Sequence, residues 1–240
     1  MPSSQSPEPS AASRFLQSEV YRLGAQPGLR SLPQSPERDF LTLTWGPIIY
    51  RTTYAPESDR LLPIFLRALN DETQQALPRC LSGTPKQIHL LETTYASKVF
   101  SIENSYEGAD EATIRKAFRQ WKIALALPSF ELPVRLRICL IVDDVVLASL
   151  TKRMNAAVSE DKDRDFSRCP VKVVEENFPD KVRKNSNPAV GPYPGWTTVV
   201  LSSLVEVYNG LRHGNGLVEY HQPGRIYTGN GQWDLECDVL

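Results

Sequence analysis

The hydrophobic positions between Asp39 and Gly214 change repeatedly between two spacings, one typical of strands and the other of helices. Short runs rich in β-branched and aromatic residues predict strands at 41–54, 86–96, 99–104, 132–142, 171–174 and 196–201. Helices are predicted to begin near Ser58 or Asp59, at Asp110, at Asp143 or Asp144, and at Leu204. Strand and helix segments therefore alternate through this part of the chain.

The clearest helical pattern follows Asp110. Ile114, Phe118, Trp121 and Leu125 recur at helical spacing, which places them on one stripe of a helix. Asp110 stands where an N-cap side chain accepts a hydrogen bond from the first turn. We expect the stripe to face a sheet, with Trp121 in the main core.

The N-terminal segment has a different composition. Residues 1–38 hold six prolines and eight serines with few large apolar residues, which predicts a disordered Pro/Ser-rich tail. The alternative is a short docking helix at 13–23, where Phe15, Leu16, Val20 and Leu23 fall near helical spacing.

The order of the predicted elements indicates a fold class. A ferredoxin-like two-layer α+β sandwich has the same order: strand, helix, strand, then strand or loop, helix, strand. In this fold, helices cover one face of an antiparallel sheet. We predict a single α+β domain at 39–240, with an irregular C-terminal extension from about residue 214. The other sheet face then needs a cover, for which a dimer partner, the tail, the extension or a ligand are the alternatives.

Charge and hydropathy exclude several classes of function. The chain has 27 Lys and Arg residues against 28 Asp and Glu, which gives a net charge of -1. It therefore lacks the excess of positive charge that proteins use to bind nucleic acid or anionic membranes. No apolar run approaches the roughly 20 residues of a membrane span, and the first residues do not form a signal-peptide pattern. We predict a soluble cytoplasmic protein, with a nuclear location left open, that binds neither nucleic acid nor membrane.

Metal and cofactor motifs are missing from the sequence. The cysteines lack Cys-x-x-Cys spacing, and no histidine has a second one three or four positions away. No phosphate-binding glycine loop, dinucleotide fingerprint or nucleophile elbow occurs either. We therefore predict neither a metal nor a cofactor.

Charged residues beside the predicted strands have structural and functional interpretations. Asp143 and Asp144 are candidates for paired acid/base carboxylates, although capping of the next helix is the favoured interpretation. Arg51, Arg135 and Arg137 are candidates for an anion site. For them a solvated or salt-bridged sheet face is favoured, because alternation along a strand places Arg135 and Arg137 on one side.

Segment 213–234 is the richest in polar functional groups, set among turn-forming glycines. His221 is a candidate general base and Arg225 a candidate anion clamp, whereas an exposed polar tail is the favoured interpretation of the segment. Tyr50, in the first predicted strand, is the third catalytic candidate.

Three segments carry a resemblance: WGPIIYRTTY, RLRICLIVDDVVLASL and GWTTVVLSSLVEVYNGL. Together they resemble an uncharacterised family of filamentous-fungal proteins with an aromatic-Gly-x-x-Ile-Tyr-Arg opening, a strand ending in Val-Asp, and a late Gly-Trp strand that leads into a helix. The resemblance covers most of residues 39–227. It implies a fold and a fungal source, and it implies no reaction.

Two functions are left open. The favoured one is a non-catalytic protein-interaction or self-associating module, which uses the open sheet face to form a homo-oligomer or to bind a protein partner. The alternative is a small cofactor-independent enzyme of fungal secondary metabolism, with an apolar pocket between sheet and helices. In that enzyme His221, Arg225 or Tyr50 would supply the polar groups.

Overall fold

The computed structural model describes residues 8–25, 34–125, 127, 132–160, 165–178 and 192–235, built around a seven-stranded sheet. Its strands are β1 (Ile48–Arg51), β2 (Lys98–Phe100), β3 (Ile138–Val142), β4 (Pro170–Glu175), β5 (Trp196–Val200), β6 (Arg225–Gly229) and β7 (Gln232–Leu235). Its helices are α1 (Ala11–Leu16), α2 (Arg22–Gly24), α3 (Pro36–Leu43), α4 (Pro56–Cys80), α5 (Pro85–Thr93), α6 (Glu103–Tyr106), α7 (Glu111–Ala124), α8 (Asp144–Glu160) and α9 (Leu204–Arg212). A π-helix, Gln17–Tyr21, joins α1 to α2.

The sheet is mixed, with the strand order β2-β1-β3-β4-β5-β6-β7. β1 pairs in parallel with β2 and β3, and β5 pairs in parallel with β6, while the remaining pairs are antiparallel. The prediction of mixed α and β structure is confirmed, but the antiparallel ferredoxin-like sheet is wrong. The connections from β1 to β2 and from β2 to β3 contain helices, which return the chain to the same end of the sheet and make neighbouring strands parallel.

Helices pack on both faces of the sheet, so the predicted two-layer sandwich is also wrong. Side chains alternate between faces along a strand. On one face Ile49 and Leu140 join a core with α1, α4, α8 and α9. On the other face Tyr50 and Ile141 pack with α7. The face that was predicted to be open is therefore covered by α7 over β1, β3 and β4.

The helix predicted after Asp110 is present as α7, and its cap is confirmed. The Asp110 carboxylate accepts a hydrogen bond from the backbone N–H of Thr113 at 2.8 Å. Phe118 is fully buried, but Trp121 is only half-buried. The Trp121 ring lies beside Phe100 on the edge strand β2, with ring centroids 5.4 Å apart. Trp121 therefore packs against the core between α7 and the sheet, but at its margin and only partly buried, so the expected full burial is not found.

The first part of the segment predicted to be a disordered tail is helical from Ala11 to Gly24. Phe15, Leu16, Val20 and Leu23 are buried, and the Phe15 ring meets Trp45 edge-on at 4.9 Å. The tail prediction is wrong here, and the docking-helix alternative matches the structure. A segment with few apolar residues can still bury them when they share one helical face. Residues 1–7 and 26–33 lie outside the described residues.

Some of the predicted strands contain helical residues instead. The strand at 41–54 is shorter than predicted, because α3 occupies its first residues and β1 begins at Ile48. Segment 86–96 is mostly α5, which Thr84 and Gln87 cap reciprocally.

The predicted irregular C-terminal extension is part of the sheet as the hairpin β6–β7. Its turn places Gly229, Asn230 and Gly231 at positive φ, a conformation that glycine and asparagine tolerate. Glu206 stands three residues after Ser203, which is the spacing of a capping box. Its carboxylate instead accepts hydrogen bonds from the Tyr227 hydroxyl at 2.6 Å and from the Asn230 backbone N–H, so it ties α9 to the hairpin.

Candidate functional site

The three catalytic candidates from the sequence lie far apart. Tyr50 is fully buried in β1 among aromatic rings, and burial raises the pKa of its hydroxyl. The half-buried ring of His221 lies 5.3 Å from Tyr193, and burial lowers the pKa of this histidine. Arg225 is exposed at the start of β6. Three strands separate β1 from β6, a distance of about 19 Å at the usual strand spacing. The structure does not bring these side chains together.

The charged groups at the carboxyl ends of β1 and β3 pair with one another. Asp143 accepts the backbone N–H of Val146 at 2.9 Å, which confirms the predicted cap, and its other oxygen pairs with Lys172 at 2.9 Å. Arg51 binds Ser58 and pairs with Asp59. Ligands of open sheets commonly bind at this end, where the strand order changes direction. At this end of the sheet the charged side chains already form ion pairs and hydrogen bonds with one another.

The opposite end of the sheet has a cleft of about 740 Å³. Its walls are formed by the N-terminal helical segment, the residues before β3, the end of β4, and the ends of α7 and α9. Among the described residues, five cationic side chains line it: Arg14, Arg22, Lys122, Arg137 and Arg212. This concentration of guanidinium groups makes the cleft the candidate functional site.

Three of these guanidiniums have no acidic partner among the described residues. Arg14 and Arg137 each donate to a backbone carbonyl oxygen, at 2.7 and 2.8 Å. Arg212 donates to the amide oxygen of Asn209 at 3.0 Å and contacts the ring of His213, while its buried Nε has no hydrogen-bond partner in the described part of the chain. Each guanidinium has five N–H donors, so most of them stay available to a ligand.

Glu19 lies in the same cleft, in the middle of the π-helix. Its side chain is only 2% exposed, and the backbone N–H of Val134 donates to its Oε2 at 2.9 Å. Burial raises the pKa of this carboxyl to about 7, although the Val134 N–H and the charges of Arg135, Arg137 and Arg212 act in the opposite direction. Single π-helical turns occur frequently at functional sites.

Arg135 is fully buried below the cleft, so the prediction of a solvated face is wrong for this residue. It donates to the carbonyl oxygen of Leu41 and to Thr44, and its guanidinium lies 5.0 Å from the Phe40 ring. Burial lowers its pKa to about 10. The prediction that Arg135 and Arg137 share one side of a strand failed because Val134–Leu136 forms a 3₁₀ turn in place of the first part of that strand. Arg51, Arg135 and Arg137 consequently point to different surroundings and do not form one site.

Sequence reasoning missed Arg14, Glu19 and Arg212 as site residues. Two of them lie in the segment that was taken for a tail. Their only signal is that Arg14 and Glu19 are interleaved with Phe15 and Val20 at helical spacing.

Comparison of the chain with protein-family models, with curated proteins and with solved structures found no match. The resemblance to filamentous-fungal proteins therefore stays a prediction. Within the described ranges, His, Cys, Asp and Glu side chains form no group of three placed to hold a metal ion. The described helices also include none with the length and apolar character that crossing a membrane requires.

Proposed function

We propose that this protein binds a small polyanion, with carboxylate or phosphate groups, in the arginine-lined cleft. The observation that carries the proposal is that Arg14, Arg137 and Arg212 meet in one cleft without an acidic partner among the described residues. The volume of about 740 Å³ falls within the range of about 300–1,000 Å³ that is usual for small-molecule sites.

None of the described carboxylates that line the cleft forms an ion pair with these three arginines, although the charge of Glu19 acts on Arg137 and Arg212. Glu176 pairs with Lys122 and Arg119, and Glu175 accepts a hydrogen bond from the Tyr193 hydroxyl at 3.1 Å. Guanidinium groups bind carboxylates and phosphates through two parallel hydrogen bonds. Several of them around one cleft therefore favour a ligand with more than one anionic group.

A purely structural role explains only part of this arrangement. Arg137 donates to the carbonyl oxygen of Leu211 near the C-terminus of α9, and Arg212 lies in the last turn of that helix. Positive charge at a helix C-terminus is stabilising. Arg14 is not near that terminus in sequence, and the helix-terminal role uses few of the donors on Arg137 and Arg212.

The two functions considered from the sequence have less support than anion binding. Self-association or protein binding was predicted through an open sheet face, and α7 covers that face over β1, β3 and β4. An enzyme with an apolar pocket needs space between sheet and helices. The gap lined by Trp45, Leu69, Tyr95 and Tyr208 has a volume of only about 10 Å³, which is about the space of one water molecule. Both functions stay predictions.

The test is calorimetric titration of the protein with pyrophosphate and with tricarballylate, a small tricarboxylate, at constant ionic strength. We expect saturable binding of at least one of them by the wild-type protein. Arg137→Gln and Arg212→Gln should each weaken it by about 10- to 100-fold, since a charge-assisted hydrogen bond contributes about 1.5–3 kcal/mol.

Arg225→Gln is the matched control, because it removes the same charge from an exposed position outside the cleft. It should leave the affinity within about twofold of wild type. Thermal unfolding of all three variants checks that each is folded at the titration temperature. The proposal is overturned if neither anion binds, or if the cleft variants bind as tightly as Arg225→Gln.

A further inference from the structure

Glu19 presents a carboxyl oxygen to the cleft that the described residues leave without a partner. Oε2 accepts the Val134 N–H, but no hydrogen bond within the described part of the chain reaches Oε1. Oε1 is not one of the fully buried atoms that lack a partner, so it is open to the cleft, where solvent or a ligand can reach it. There an ionised carboxylate can only accept a hydrogen bond, whereas a protonated carboxyl can donate its O–H to an acceptor. An oxygen of a bound anion is such an acceptor.

We propose that Glu19 is protonated when the anion is bound, so that the protein takes up one proton from water together with its ligand. This step rests on the proposed function, because it takes place in the same cleft. An ionised Glu19 would repel the ligand, whereas the protonated acid donates a hydrogen bond from Oε1 to a ligand oxygen. The proton comes from the solvent, and no covalent bond of the ligand changes.

The surroundings of Glu19 make this protonation feasible near neutral pH. Burial already raises its pKa to about 7 without a ligand. The charged and titratable groups around it are Arg14 on α1, Arg22 on α2, Lys122 on α7, Arg135 and Arg137 before β3, Glu175 and Glu176 at the end of β4, and Tyr208 and Arg212 on α9. The negative charge of a ligand raises the pKa of the carboxyl further.

The sign of the pH effect follows from this shift. A group whose pKa rises on binding takes up protons between its free and its bound pKa, so affinity is highest at pH values below the free pKa. Above about pH 7, the affinity for the ligand should decrease with pH, by up to about tenfold for each pH unit.

Calorimetric titration with tricarballylate in buffers of different ionisation enthalpy measures the number of protons taken up per ligand. At about pH 8, where tricarballylate is fully ionised, we expect the wild-type protein to take up close to one proton, because Glu19 is then mostly ionised before binding. Glu19→Gln keeps an acceptor for the Val134 N–H and a donor for the ligand. It should bind with an affinity that does not change with pH, and without this proton.

Histidine is the side-chain type that normally titrates near neutral pH, and the His213 ring contacts Arg212. His213→Asn is therefore the control, and it should keep the proton uptake of the wild type. If pyrophosphate is the only anion that binds, the difference in proton uptake between wild type and Glu19→Gln is the measured quantity.

The possible outcomes separate the two proposals. Binding by the wild type without proton uptake overturns the role of Glu19 and leaves anion binding standing, even if Glu19→Gln does not fold. Equal proton uptake by wild type and Glu19→Gln also overturns it. Absence of binding at every pH, including about pH 6 where Glu19 is mainly protonated, overturns both proposals.

Discussion

Glu19 makes the free energy of unfolding depend on pH in the absence of any ligand. Its pKa in the folded protein is raised from 4.5 to about 7, chiefly by burial. Between these values the folded state holds more protons than the unfolded state. The contribution of Glu19 therefore falls as pH rises through this window and is most unfavourable above about pH 7. Ionisation of Glu19 therefore does not stabilise the fold at neutral pH, which is consistent with a role in binding.

We predict that Glu19→Gln raises the free energy of unfolding at about pH 8 by up to about 3 kcal/mol, because each pKa unit corresponds to about 1.4 kcal/mol. At about pH 4.5, where Glu19 is protonated in the folded state and about half protonated in the unfolded state, the gain should be much smaller. Urea denaturation of wild type and variant at the two pH values measures it. An equal effect at both pH values would contradict the raised pKa.

At the scale of elements, the N-terminal helical segment forms both a part of the core and a wall of the cleft. Phe15 and Leu23 face the core, while Arg14 and Glu19 line the cleft. The π-helix inserts a wider turn between α1 and α2 and so changes which residues share a face. Loss of this segment would therefore remove core packing and site residues together.

We predict that Phe15→Ala lowers the free energy of unfolding by about 3–5 kcal/mol, the usual cost of removing a large buried aromatic side chain. Phe15 is 0% exposed and contacts Trp45. Tyr21→Ala in the same segment is the control, because Tyr21 is 44% exposed and a surface substitution usually changes stability by less than about 0.5 kcal/mol. Equal unfolding midpoints of the two variants in urea would mean that the segment does not dock.

The elements that could be predicted from the sequence are those with one uniform environment. α7 has a single apolar stripe and a cap at Asp110, and β3 is an apolar run buried on both faces, so both elements could be recognised, although β3 begins later than predicted. In α5, Leu91 is buried while Ile88 and Leu90 are only partly covered. That spacing resembles the alternation of a strand, which explains the error there.

The site could not be predicted in the same way. Arg14, Glu19, Arg137 and Arg212 belong to segments far apart in sequence, and only the packing of α1, β3 and α9 brings them to one cleft. No spacing rule links such residues. The 3₁₀ turn before β3 further separates Arg135, which is buried, from Arg137, which lines the cleft.

Across the whole molecule, the two ends of the sheet differ in how their charges are arranged. At the carboxyl ends of β1 and β3, Arg51 and Lys172 each have an acidic partner. At the other end, Arg137 and Arg212 have none among the described residues. Pairing at one end favours a structural role, whereas unpaired cations around a cleft favour a ligand of opposite charge.

The far side of the sheet depends on the C-terminal hairpin. β6 pairs with β5 at Val199 and Tyr227, and the Tyr227 ring packs edge-on against Tyr220 and Trp233. Glu206 joins the hairpin to α9, the helix that carries Arg212. This segment therefore completes the sheet and supports one wall of the cleft.

We predict that a chain ending at residue 214 is mainly insoluble or aggregated when it is expressed. Without β6 and β7, the buried strand β5 becomes an edge with unpaired backbone groups and with Val199 uncovered, and such edges promote aggregation. The matched control is Leu235→Ser, which alters an exposed residue at the end of β7 and should stay soluble. Sedimentation and size-exclusion chromatography compare the two proteins. A soluble, cooperatively unfolding chain ending at residue 214 would show that the hairpin is an appendage, as the sequence alone suggested.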